Sequence, residues 1–249
     1  MAERRKTGAL PPLLIIMVKQ PVMGRVKTRL AREIGLSAAT QFARISARAT
    51  IARLSRDRRW RTVLAVTPDT ALAAPVWGDG LSGPARLPSR QKGLQKSPPR
   101  RAKLPTPSQA APPRIGQGSG DLGERMARLL APPSRPALLI GADIPAVSPA
   151  LIADAFRLLG SNDAVFGPAE DGGYWLIGLN RRAPQRGMFA GVRWSSPHAL
   201  ADTLKNLPQV HIGYAQRLSD VDDAESYRCC AALAARITPL VWSPAAWSG

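Results

Sequence analysis

The chain has 249 residues, 45 % of them hydrophobic, enough for one sizeable domain with its own core. Its two cysteines are the neighbours Cys229 and Cys230, which give no disulfide framework, and no apolar stretch reaches the roughly 18 to 20 residues that cross a bilayer. A disulfide-stapled secreted domain, a membrane-spanning helix and a signal peptide are therefore not expected, and a reducing cytoplasmic setting is.

In chain order, residues 1–12 form a basic tail. Residues 13–18 (LLIIMV) are short, apolar and β-prone, which predicts a strand buried on both faces. The next segment, KQPVMGRVKTRL at 19–30, places Lys19, Arg25, Lys27 and Arg29 around Pro21 and Gly24. Residues 36–54, entered through Ser37 as the expected N-cap, space Phe42, Ile45, Ala49 and Leu54 along one helical face. A second buried strand is predicted at 62–68 (TVLAVTP). This strand, loop, helix, strand order implies a parallel α/β topology.

The formal net charge of +18 would suit a nucleic-acid binder, but much of it is local. Residues 83–114 carry eight basic side chains and no acidic one; without them the charge falls to +10, and without the tail to about +8. This insert is Pro-rich and free of aromatic residues, so it has no platform on which bases could stack. It is expected to be a solvated, disordered excursion from a single domain spanning 13–240, and nucleic acid is not an expected partner. A short helix follows at 121–130 (DLGERMARLL), then a third strand at 137–145 (ALLIGADIP) and a helix from Ser148 or Pro149 to Leu159. Residues 163–171 and 172–179 read as two extended segments joined at Asp171, Gly172 and Gly173. Ser196 as N-cap with Pro197 at N1 predicts another helix. A strand at 210–214 and a helix at 223–237 complete the domain.

Four places could carry chemistry. In open parallel sheets the ligand lies at the carboxyl ends of the strands, and the loop after the first strand often holds phosphate. Lys19, Gly24, Lys27, Thr28 and Arg29 are the corresponding candidates here, with Gly24 allowing close backbone approach; neither a Walker loop nor a G-x-G-x-x-G fingerprint is present. Asp143 ends the third strand, where a carboxylate can bind a divalent cation bridging phosphates or simply cap the next helix. GPAEDGGYW displays Asp171 beside Gly172, Gly173 and Tyr174, a candidate acceptor loop with Asp171 as the base that contacts an acceptor hydroxyl. Asp220, Asp222 and Asp223 precede the last helix, where acids also suit the helix dipole. An aspartate there could serve as a second metal ligand.

Taken together, K-x-P-x-x-G-x-V-K-T-R-L at 19–30, G-D-L-G-E-R-M at 120–126, G-A-D-I-P at 141–145 and G-P-A-x-D-G-G-Y-W-L-I-G-L at 167–179 resemble a bacterial family of uncharacterised proteins. It lies in the glycosyltransferase-A-like, nucleotide-diphospho-sugar transferase superfamily, and some members are labelled arsenosugar-biosynthesis glycosyltransferases. The resemblance implies a Rossmann-like three-layer α/β/α sandwich with a mostly parallel sheet that binds a nucleotide or nucleotide sugar with Mg2+ or Mn2+. The metal positions of related nucleotidyltransferases fall on Asp143 and, in V-D-D-A-E-S, on Asp222. Ser226 stands where the final aspartate of a V-D-T-P-E-D segment would be, the D-x-D motif is absent, and the basic insert is longer than the family's connection.

The expectation is thus a metal-dependent glycosyltransferase with a nucleotide-sugar donor and a small-molecule acceptor. Two alternatives stay open at this point: a nucleotidyltransferase that releases pyrophosphate from a nucleoside triphosphate, and a non-catalytic binder of polyanions or nucleic acid.

Overall fold

The computed structural model describes residues 10–74, 111–131, 135–181, 183 and 187–237. Tail residues 1–9 and insert residues 83–110 lie outside the described residues. A seven-stranded sheet runs through the molecule: β1 (Leu13–Lys19), β2 (Arg61–Thr67), β3 (Arg114–Gly116), β4 (Ala137–Gly141), β5 (Ala164–Pro168), β6 (Tyr174–Leu179) and β7 (Ile212–Tyr214), in the spatial order β3-β2-β1-β4-β6-β5-β7. All pairings are parallel except those of β6, which is antiparallel to both β4 and β5. The helices are α1 (Thr28–Ile34), α2 (Leu36–Ser55), α3 (Leu122–Leu130), α4 (Pro149–Ser161), α5 (Ala199–Lys205) and α6 (Ala224–Ile237).

The period-2 alternation of the strands divides the core between the two sheet faces. Leu14, Ile16 and Val18 of β1 pack with Ala47, Ile51 and Leu54 of α2 and with Ile152, Ala155 and Leu159 of α4. Ile15 faces the opposite way, toward Met126 and Leu130 of α3, with Leu200 and Leu204 of α5 packed on the same cluster. A third cluster joins Leu30 and Ala31 of α1 to Ala39 and Phe42 of α2 and to Val221. These layers make the predicted three-layer α/β/α sandwich. Among the described residues no helix is long and apolar enough to cross a membrane.

Several boundaries differ from the sequence reading. The basic segment does not stay a loop to residue 30, because α1 begins at Thr28. Ser37 does not cap α2; Gly35, at φ 88°, ends α1 through its N–H to Ala31 O and starts α2 by accepting from Ala39 N. Only a glycine makes so abrupt a helix-to-helix turn without a Cβ penalty. Ser196 does not cap α5, which starts after His198; the Ser196 hydroxyl instead closes a turn, donating to Arg193 O and accepting from His198 N. Arg114, counted with the insert, opens edge strand β3, paired with Leu64. The predicted starts of α3 and α4 stand: Asp121 and Glu124 form a capping box, and Ser148 accepts from Leu151 N ahead of Pro149.

Ile140 is fully buried between sheet and helices, whereas Ile115 on edge strand β3 is 41 % exposed. Ile140→Ala is expected to cost about 2–5 kcal/mol in a denaturant titration. Ile115→Ala should stay within about 0.5 kcal/mol of the parent.

Candidate active site

Strands β1, β2, β4, β5 and β7 all point the same way, so the segments that follow them emerge at one edge of the sheet. A cavity of about 450 Å3 opens there. Lys19, Arg25, Lys27, Thr28 and Arg29 line it from the segment after β1, Asp143 from the segment after β4, Asp171 from the β5–β6 turn and Asp222 from the segment after β7, together with Ser195. Seven of the residues singled out in the sequence are thereby brought together from four distant stretches of chain.

At the centre lies Lys27, whose side chain is only 7 % exposed. Its ammonium donates to Asp143 Oδ2 at 2.9 Å and to Asp222 Oδ1 at 2.7 Å, and Asp220 Oδ2 is 3.6 Å away. Burial alone would lower the lysine's pKa, but Asp143 and Asp222 more than reverse this and hold it above the ordinary lysine range. The backbone at Lys27 is left-handed (φ 44°, ψ 48°), a conformation that costs a non-glycine residue roughly 1–2 kcal/mol. Charge-assisted hydrogen bonds of this kind are the strong ones and offset that cost. Lys27, expected from the sequence to meet phosphate, thus meets carboxylates.

The three late aspartates divide their labour. Asp223 caps α6, accepting from Ser226 N at 2.8 Å. The Ser226 hydroxyl also receives the N–H of Asp222 at 3.2 Å and so fixes the backbone that carries Asp222 toward Lys27. Asp220 is a perturbed acid at the site: burial, then the charges of Asp222, Asp143 and Asp171, push its pKa up to about 6, with Lys27 pulling the other way. Sequence reasoning named Asp220 together with Asp222 and Asp223 but did not single it out, because three acids before a helix look alike locally. Ser195, at φ 58°, and Arg25 also line the cavity; no sequence signal marks Ser195.

Asp171 accepts from Gly173 N at 2.9 Å through Oδ1, and among the described residues Oδ2 has no hydrogen-bond partner. Gly172 lies outside the lining; at φ 83° it packs so closely on the Pro197 backbone that a Cβ would collide there, and its carbonyl accepts from Leu200 N. Gly24 is at φ 75° with open space about it, so it shapes the turn rather than making room for a neighbour. The Tyr174 hydroxyl points away, toward Thr203 at 3.4 Å, since the Thr203 hydroxyl itself donates to Ala199 O. Burial first of all raises its pKa, and that hydrogen bond only partly opposes the rise.

A second cavity of about 310 Å3 shares Met17, Lys19 and Asp143 with the first and continues over the α3 face. Its wall is mainly apolar, and beside Lys19 and Asp143 its polar members include Thr67, Gln117 and Arg125. Gln117 is buried; its Nε2 donates to Ala65 O at 2.8 Å and its Oε1 accepts from Arg125 Nη1 at 3.1 Å, so it sets the pose of the arginine.

Asp143 and Asp222 face one point, and the chain's own ammonium stands there. Two carboxylates with the remaining positions left to phosphate and water suit Mg2+ or Mn2+ chemistry. Among the described residues no group of three or more His, Cys, Asp or Glu side chains is arranged to hold a metal ion. Among the described residues Lys19, Arg25 and Arg29 have no carboxylate partner, which leaves three cations for an anionic ligand.

An acid whose folded-state pKa is raised binds its proton more tightly when folded, so its ionisation weakens the fold as pH rises from about 4, its unfolded value, through about 6. In metal-free protein, Asp220→Asn is therefore expected to be more stable than the parent at pH 7 and to lose that advantage by pH 4. Urea midpoints across this range would check it. A parent more stable than the variant at pH 7 would show that attraction to Lys27 outweighs burial.

Known structures share this fold. A crystal structure from Desulfovibrio desulfuricans G20, described as a "putative nucleotide-diphospho-sugar transferase", superposes with a TM-score of 0.74 at 22 % identity, covering 94 % of this chain and 92 % of that one. The 4-diphosphocytidyl-2C-methyl-D-erythritol synthase of Anaerococcus prevotii DSM 20548 gives 0.50 at 11 % identity, covering 90 % and 98 %. At these identities the likeness is one of fold. No curated protein matches the sequence. Residues 50–196, more than half of the chain, match a single family, and the protein belongs to it: the bacterial family described as "Uncharacterized protein conserved in bacteria (DUF2064)".

Proposed function

We propose that the protein is a nucleotide-dependent transferase that moves a sugar from a nucleoside-diphosphate sugar to a small acceptor. The observation that carries this reading is one cavity lined both by Lys19, Arg25 and Arg29, which have no carboxylate partner among the described residues, and by the carboxylates Asp143, Asp222 and Asp171. Cations and carboxylates in one cavity fit a diphosphate leaving group beside a hydroxyl nucleophile.

The roles follow from the chemistry of each group. Lys19, Arg25 and Arg29 would neutralise the diphosphate, and the Thr28 hydroxyl would donate to one of its oxygens. Asp143 and Asp222 would hold a divalent cation, which when bound supplies further neutralisation of the leaving group. Asp171, with Oδ1 occupied by Gly173 N, would orient the acceptor hydroxyl and take its proton on Oδ2. The acceptor oxygen bonds to the anomeric carbon, the bond from that carbon to the diphosphate oxygen breaks, and its electron pair leaves with the diphosphate. The second cavity, on the other side of Lys19 and Asp143, offers an apolar compartment for the part of the ligand beyond the phosphates.

Nucleotidyl transfer is the second reading, favoured by one feature: the cations that line the cavity suit a triphosphate at least as well as a diphosphate. Under that reading pyrophosphate would be released from a nucleoside triphosphate in the presence of a phosphorylated metabolite.

A thermal-shift panel of nucleotide sugars, diphosphates and triphosphates, each with and without Mg2+ or Mn2+, tests both. A ligand at about 100 times its Kd stabilises the fold by roughly 2.7 kcal/mol, or about 5–10 °C for a chain of this size. The expected result is a cation-dependent shift with a nucleotide sugar, much reduced in Arg29→Ala. A response to triphosphates alone would favour nucleotidyl transfer, and silence throughout would overturn the nucleotide-dependent reading.

A further inference from the structure

The Lys27 ammonium occupies the point at which the two expected cation ligands meet, 2.9 Å from Asp143 Oδ2 and 2.7 Å from Asp222 Oδ1. A divalent cation on the same two oxygens would repel it strongly at such short range, so lysine and metal exclude one another there. The lysine has somewhere else to go. Asp220 Oδ2 lies 3.6 Å from the ammonium, and the cavity that Lys27 itself lines is where phosphates would sit. Its four-carbon stem carries a compact point charge with three donors, able to exchange one anionic partner for another without moving the backbone.

We propose that Lys27 is an exchangeable counter-ion. In the free protein it fills the cation seat and keeps the carboxylates from repelling one another. When a divalent cation arrives with a polyphosphate, the ammonium leaves Asp143 and Asp222 for the phosphates and Asp220. This inference rests on the reading of Asp143 and Asp222 as cation ligands. Its consequence is coupling: metal alone must compete with an internal cation, whereas metal with polyphosphate gives that cation a new partner, so each ligand strengthens the other by the same factor.

The test is Mn2+ binding to the full chain without nucleotide, followed by the electron paramagnetic resonance of free Mn2+ and by melting temperature. Lys27→Met and Lys27→Gln are expected to bind Mn2+ at least about tenfold more tightly than the parent, since the competing positive charge is gone. The gain should vanish when Asp143→Asn is added. Adding a nucleoside diphosphate should raise Mn2+ affinity in the parent much more than in either variant. Folded Lys27 variants that bind Mn2+ no better than the parent would overturn the exchange. If the parent still binds a nucleotide sugar with Mn2+ in that case, the transferase reading survives without it. If no form binds Mn2+ with or without nucleotide, the assignment of Asp143 and Asp222 falls and takes the exchange with it.

Discussion

One buried ammonium ties the site together. Lys27 reaches across 116 positions to Asp143 and 195 to Asp222, so a single charged group gathers the segments that follow the first, fourth and seventh strands. A lysine only 7 % exposed would be costly on its own, and three carboxylates crowded together would be costly without it. Each side of this arrangement makes the other tolerable. The left-handed backbone at Lys27 persists because the ion pairs over-determine where the ammonium must go.

The sheet decides which residues can take part. Since β1, β4, β5 and β7 run in the same direction, everything that follows them is delivered to one edge. The antiparallel strand β6 matters here too. By returning directly from β5 it makes a tight turn at that edge, and the turn is what places Asp171 in the same cavity as Lys27. Gly172 packs that turn against the Pro197 backbone, so the acid-bearing loop is anchored to the α5 layer and does not hang free.

Much of the fold was legible in the sequence because its strands are buried on both faces and read as plain apolar runs, such as LLIIMV and ALLIG. The helix starts at Asp121 and Ser148 were legible because their caps are local chemistry. Ser37 and Ser196 show the limit of that chemistry. A serine before a helical pattern looks like a cap, yet Gly35 had already turned the chain in one case, and the hydroxyl was engaged by Arg193 O in the other. The three-residue strand at 114–116 was hidden because so short an edge carries no period of its own and exists only through pairing with β2.

The candidate site divides the same way. The sequence by itself determined which residue types were available and that they follow strand ends: a basic segment after the first strand, Asp143 after an apolar run, Asp171 in a glycine turn and acids before the last helix. It also carried enough motif to indicate the family. Only the tertiary structure decided which charge faces which. It turned Lys27 onto Asp143 and Asp222, left Lys19, Arg25 and Arg29 without a carboxylate partner among the described residues, assigned the helix cap to Asp223 and raised the pKa of Asp220. The reason is physical: the energy of a charge depends on its distance to other charges and to water, and both are set by contacts between residues a hundred or more positions apart.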